Sequence, residues 1–146
     1  MKRTFSQIAL RIISIMQFLS ALVFALLIAL LFIAVDESYL TEYSTQDRYI
    51  LVFEVIKLAI NTILLFISWF ILRKTSKDAS KHNEALNITM VIIAFEVFNF
   101  ISSLGRGVPR NLVTMLISIV INLITLIFIA NVKKSYEEYL KSNKDN

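Results

Sequence analysis

Four apolar stretches, at residues 12–35, 49–72, 86–104 and 111–130, leave this chain few choices of fold. A hydrocarbon core of about 30 Å takes roughly 20 helical residues to cross. A backbone inside lipid must satisfy its own hydrogen bonds, so only helices and closed barrels span. Continuous runs of this length are helical rather than barrel strands. The expected fold is all-α: an integral membrane antiparallel four-helix bundle, one domain over residues 1–146. The 57% share of hydrophobic residues agrees, since soluble domains carry about 45–50%.

Two stretches have a competing reading. The third is short and contains Thr89, Glu96, Asn99, Ser102 and Ser103, so a re-entrant or interfacial segment is the alternative there. The first follows Met1-Lys2-Arg3, as a secretory leader would. Its apolar run is too long for a leader, however, and Phe32-Ile33-Ala34 is not a small-x-small cleavage site. It is expected to remain as a span.

Lys and Arg in short loops favour the cytoplasmic side. Lys2, Arg3, Arg11, Arg73, Lys74, Lys77, Lys81, Lys133, Lys134, Lys141 and Lys144 all fall on one side of the expected topology. The other side has Arg48, Arg106 and Arg110, together with Asp36, Glu37, Glu42 and Asp47. Both termini are therefore expected to be cytoplasmic, and the location a bacterial plasma membrane. The basic residues flank the spans rather than forming one soluble block, so nucleic acid is not an expected partner.

Both glycines and the only proline lie in Gly105-Arg106-Gly107-Val108-Pro109-Arg110, which reads as a tight turn. No span contains either residue, and with them goes the usual cue for the broken helices of many secondary transporters. Arg106 and Arg110 are a candidate contact for an anionic headgroup or peptide. Docking of the acidic first loop on these arginines is the plainer expectation.

Polar residues form a seam inside the spans. Glu54, Lys57 and Asn61 follow one face of the second, Glu96 and Asn99 one face of the third, and Asn122 lies in the fourth. Such groups are costly in lipid and call for partners, water or a function. At about 1.5 Å of rise per residue, Glu54 and Asn99 lie about 7 Å from the outer ends, and Lys57 and Glu96 about 12 Å. Asn61 and Asn122 lie deeper, at about 18 and 16 Å. The expected contacts are Lys57 with Glu96 and Glu54 with Asn99, although Glu54 and Lys57 also lie at i,i+3 on one helix. Two carboxylates and one cation leave one negative charge over. It serves either helix register, with one carboxyl protonated, or the binding of a proton or small cation.

Other features read as structural. Ala21, Ala25 and Ala29 form a small-xxx-small stripe suited to close helix packing, internal or between two copies. His82 is expected to be a solvated loop residue, and Asn87 a helix cap. The tail is expected to extend the fourth helix through i,i+4 pairs such as Lys133 with Glu137. Tyr136, Tyr139 and Leu140 would then share a stripe.

Chemistry is sparsely signalled. The chain has no cysteine, and it lacks a glycine-rich phosphate loop, metal-ligand spacing and a nucleophile with its base. No catalytic residue, metal or cofactor is expected. Small multidrug exporters also use four helices, but here the first span holds no acidic residue. Two function classes remain. The first is a non-enzymatic accessory, regulatory or immunity-type interaction protein, in contact with the lipid bilayer and with a membrane-protein partner or a second copy. The other is a small oligomeric proton or cation transporter or channel that uses the seam.

Overall fold

The computed structural model describes residues 4–34, 45–104 and 112–143. Helix α1 spans Phe5–Ala34, α2 Thr45–Thr75, α3 His82–Leu104 and α4 Leu112–Ser142, with a 3-10 turn at Ala79–Lys81 before α3. All four are long and apolar enough to cross a membrane, which is the make-up of a multi-pass membrane protein. The third stretch is one continuous helix of 23 residues. It is long enough to span rather than to turn back within the interface.

The helices run beyond the apolar stretches because nothing in the flanks stops them. α1 starts at Phe5 behind a capping box, in which Thr4 N donates to Gln7 Oε1 at 3.0 Å and Gln7 N to Thr4 Oγ1 at 3.4 Å. α2 starts early enough to take Asp47 into its first turn, where a carboxylate complements the helix dipole. α4 continues to Ser142, and Lys133 Nζ lies 3.9 Å from Glu137 Oε1 on the extension. Asn87, expected as a cap, is an exposed residue within α3. Asp78 does the capping instead, accepting from Ser80 N at 3.0 Å ahead of the 3-10 turn. The stretch 105–110 expected to form a turn, with Arg106 and Arg110, and the acidic residues Asp36, Glu37 and Glu42 lie outside the described residues.

Each helix packs on its sequence neighbours and α4 closes back on α1, so the four form a ring. Contact is most extensive between α1 and α2 and least between α4 and α1. The longest connection, residues 35–44, reaches about 35 Å when fully extended, short of the roughly 45 Å length of α1. Neighbouring helices are therefore antiparallel.

Buried positions recur at alternating steps of three and four. They are Gln7, Leu10, Ser14, Gln17 and Ala21 in α1, then His82, Ala85, Thr89, Ile92, Glu96 and Asn99 in α3, then Asn122, Thr125, Ile129 and Val132 in α4. This is the 3.5-residue repeat of helices packed side by side. Ala21 is fully buried while Ala29 is exposed, so the alanine stripe serves internal packing at its Ala21 end.

The polarity is inverted relative to a soluble bundle. Among the described residues nine buried side chains are apolar and fifteen are polar or charged, whereas large apolar side chains such as Ile8, Leu26, Ile63, Phe98 and Ile127 face outward. Lipid on the outside is the solvent this arrangement suits. Apolar burial is concentrated at one end, where Leu10, Leu72, Ala79, Ala85, Ile129 and Val132 form a core with Tyr136 against it. The start of α1, the 3-10 turn and the later part of α4 meet there.

Candidate functional site

Most buried hydroxyls in the interior are satisfied by their own helices. Thr62, Thr75, Thr89 and Thr125 each donate Oγ1 to a carbonyl one turn back, at 2.8–3.0 Å. Ser14 and Ser76 do the same at 2.7 Å. These side chains let helices approach closely while remaining internally bonded, so their presence asks for no ligand.

His82 is buried, contrary to the expectation of a solvated loop residue. Its Nδ1 lies 2.9 Å from Ala79 O, and its ring centroid 6.0 Å from that of Tyr136. The 3-10 turn folds the connection back onto the bundle, and α4 extends far enough to cover the imidazole. His82 belongs to the end packing.

The seam residues separate into two groups. In the first, Lys57 Nζ lies 2.7 Å from Glu54 Oε1 and 5.4 Å from the centroid of the Phe53 ring. The i,i+3 contact within α2 is thus formed. Asn99, on α3, is buried and its Oδ1 has no hydrogen-bond partner. By helical rise it stands about 4.5 Å from the level of Glu96.

Asn61, Glu96 and Asn122 form the second group, which lines a partly open cavity of about 310 Å³ within the bundle. They come from α2, α3 and α4, and α1 adds Gln17 and Ser20. Ser118, one turn before Asn122, also lines it. Asn122 Nδ2 donates to Ser118 O at 2.9 Å. That contact uses one of the two N–H groups of the amide. Gln17 is buried, and its Oε1 has no hydrogen-bond partner. Glu96, 8% exposed, is the one charged residue of the lining among the described residues.

The rest of the wall is apolar, with Phe24, Leu65 and Ile92 among its members. The exposed members of the lining, Met16 and Ser20 on α1 and Ile117 and Ile121 on α4, all lie on the least extensively packed neighbouring pair. Met16 on α1 and Ile117 on α4 both line the cavity and are 53% and 55% exposed. The cavity therefore opens sideways, toward the apolar exterior. In the other direction the end core around Leu10, Leu72 and Val132 stands between the polar interior and the termini.

Gln17 is the site residue that sequence reading missed. It stands just inside the first apolar stretch, close to Arg11, and reads there as a flanking residue. Its signal was the repeat Gln7, Leu10, Ser14, Gln17, Ala21, which places it on the packed face at the depth of the cavity. Among the described residues, no three His, Cys, Asp or Glu side chains lie close enough to share a metal ion.

No family model, curated protein or solved structure matches the chain.

Proposed function

We propose that this chain is a non-enzymatic accessory or regulatory protein of a bacterial plasma membrane, with both termini cytoplasmic, and that it works by binding within the bilayer. The observation that carries this reading is the sideways opening, between α1 and α4, of a largely apolar cavity that holds Gln17, Asn61, Glu96 and Asn122 on its wall. A polar interior reached from the lipid suits a partner or ligand that is itself in the membrane. The apolar core at the end near the termini favours holding over passage, because a conducting path needs polar groups or water along its full length. Arg73 over Trp69 and Lys74 over Phe70, at 5.8 and 4.3 Å, are basic and aromatic anchors at that same end, which supports its cytoplasmic assignment.

A second reading, a small oligomeric proton or cation transporter or channel, is favoured by Glu96 on the cavity wall. Reconstitution into proteoliposomes separates the two. The binding reading expects proton and potassium flux no greater than in empty vesicles. It also expects a photo-crosslinker at Ile117 to capture a specific adduct in native membranes. Flux that falls on Glu96→Gln would overturn it in favour of transport.

A further inference from the structure

The cavity wall presents one orphaned acceptor and one carboxylate. Gln17 Oε1 is buried without a hydrogen-bond partner on a side chain that lines the cavity. A buried acceptor in this state represents an unmade hydrogen bond, and native interiors contain few of them. Asn122 gives one of its two amide N–H groups to Ser118 O, so that amide is partly spent within α4. Glu96 is itself engaged in the bundle, yet a carboxylate offers about four acceptor positions and accommodates a further donor. Among these lining residues there is no Lys, Arg or His.

Shape and access narrow the class further. About 310 Å³ is far larger than a bare alkali ion and falls at the lower end of small-molecule sites. Apolar side chains such as Phe24, Leu65 and Ile92 make up much of the wall, and the mouth opens beside Met16 and Ile117 toward lipid. The occupant therefore needs an apolar body able to partition into the bilayer and a cationic, hydrogen-donating head.

We propose that the cavity binds an amphiphilic organic monocation, an alkyl- or arylalkyl-ammonium bearing N–H donors. The ammonium pairs with Glu96 and donates to Gln17 Oε1 once that side chain turns its amide oxygen into the cavity, and the apolar body lies along Phe24, Leu65 and Ile92. It enters sideways between α1 and α4. This inference rests on reading the cavity as a binding element, and it names the ligand chemistry.

The test titrates 4-phenylbutylamine into the full chain in nanodiscs, read by the fluorescence of Trp69, the single tryptophan, which stacks 4.7 Å from Phe18 beside Gln17. Calorimetry provides a second readout. The amine should bind at least tenfold more tightly than 4-phenylbutanol and several-fold more tightly than its N-trimethyl derivative. Glu96→Gln should weaken amine binding at least tenfold and leave the alcohol unchanged. Should that variant fail to fold, Gln17→Met decides, with a several-fold loss expected for the amine and almost none for the trimethyl derivative. Equal binding of amine and alcohol, or unchanged amine affinity in both variants, overturns the proposal. Failure of amine binding while the Ile117 crosslink persists removes the cation alone; loss of both removes the binding reading as well.

Discussion

Lys57 Nζ lies 2.7 Å from Glu54 Oε1 one turn away on the same helix, with the lysine side chain 9% exposed and the glutamate 38%. A counterion on its own helix lets α2 carry Lys57 as a compensated pair, whatever face of α3 lies opposite. The i,i+3 geometry also holds the ammonium near the half-exposed carboxylate, where desolvation is milder than at the bundle centre.

Removing one member of this pair should therefore destabilise more than removing both. Lys57→Met is expected to cost about 1–3 kcal/mol, less than the roughly 3–5 kcal/mol of a fully buried pair because Glu54 retains solvent contact. Lys57→Met with Glu54→Met should recover most of that loss in thermal unfolding in mild detergent. If Lys57→Met with Glu96→Met recovers it and the Glu54 combination does not, compensation runs between α2 and α3 instead.

Hydropathy made the four helices legible, since lipid imposes length and composition directly. Spacing also revealed which faces turn inward, because buried positions follow the same 3.5-residue repeat in polar and apolar segments alike. Partner choice was less accessible. Glu54, Lys57 and Glu96 satisfy both an intrahelical and an interhelical pairing, and depth along the axis does not rank them. The burial of His82 was illegible for a different reason: it depends on a 3-10 turn and on how far α4 continues, neither of which hydropathy records. Gln17 was hidden by position, polar at the margin of an apolar run but inward on the packed face.

The sidedness assignment is open to chemical labelling because the chain contains no native cysteine. Gln46→Cys, exposed at the start of α2, should react with an impermeant maleimide in intact cells. Asn143→Cys, exposed just past α4, should react only after the membrane is opened. The reverse pattern would invert the orientation, and labelling of both in intact cells would reject the cytoplasmic assignment of the termini.

Asp78 gives the connection before α3 a defined acid dependence. The Ser80 hydroxyl first and the Ser80 backbone N–H second, with a smaller contribution from Lys81, hold its carboxyl below the usual 3.8. A folded-state value below the unfolded one stabilises fully above about pH 3.8 and fades as pH falls through the lowered value. Asp78→Ala should cost about 0.5–1 kcal/mol at neutral pH, the lower part of the capping range for an exposed site. The difference from the native chain should shrink below pH 3.8 in unfolding scans. A difference that persists undiminished into strong acid would show that the carboxylate is not its source.

Packing of α1 in the bundle places a steric limit at Ala21, which is fully buried, but none at Ala29, which is exposed. Ala21→Leu is expected to destabilise by about 1–3 kcal/mol through overpacking, whereas Ala29→Leu should change little. Thermal unfolding of the two variants provides the comparison. Equal tolerance at both positions would mean that this seam relaxes to accept added volume.

Gln17 connects stability with binding. Its Oε1 is buried without a hydrogen bond, while Thr125 Oγ1, also buried, donates to Ile121 O at 2.8 Å. A group already bonded within its helix contributes little net stability over an apolar replacement of similar shape, so Thr125→Val should be close to neutral. An orphaned acceptor costs about 1–3 kcal/mol of desolvation, and Gln17→Leu removes it at similar volume. This substitution should raise the unfolding free energy by about 1 kcal/mol, allowing for imperfect packing of the branched side chain, and at the same time weaken amine binding. Such opposition is what a site kept polar for its ligand should display. If Gln17→Leu destabilises the chain instead, the Gln17 amide contributes to helix packing, and the orphaned acceptor in the cavity loses its claim to be a binding feature.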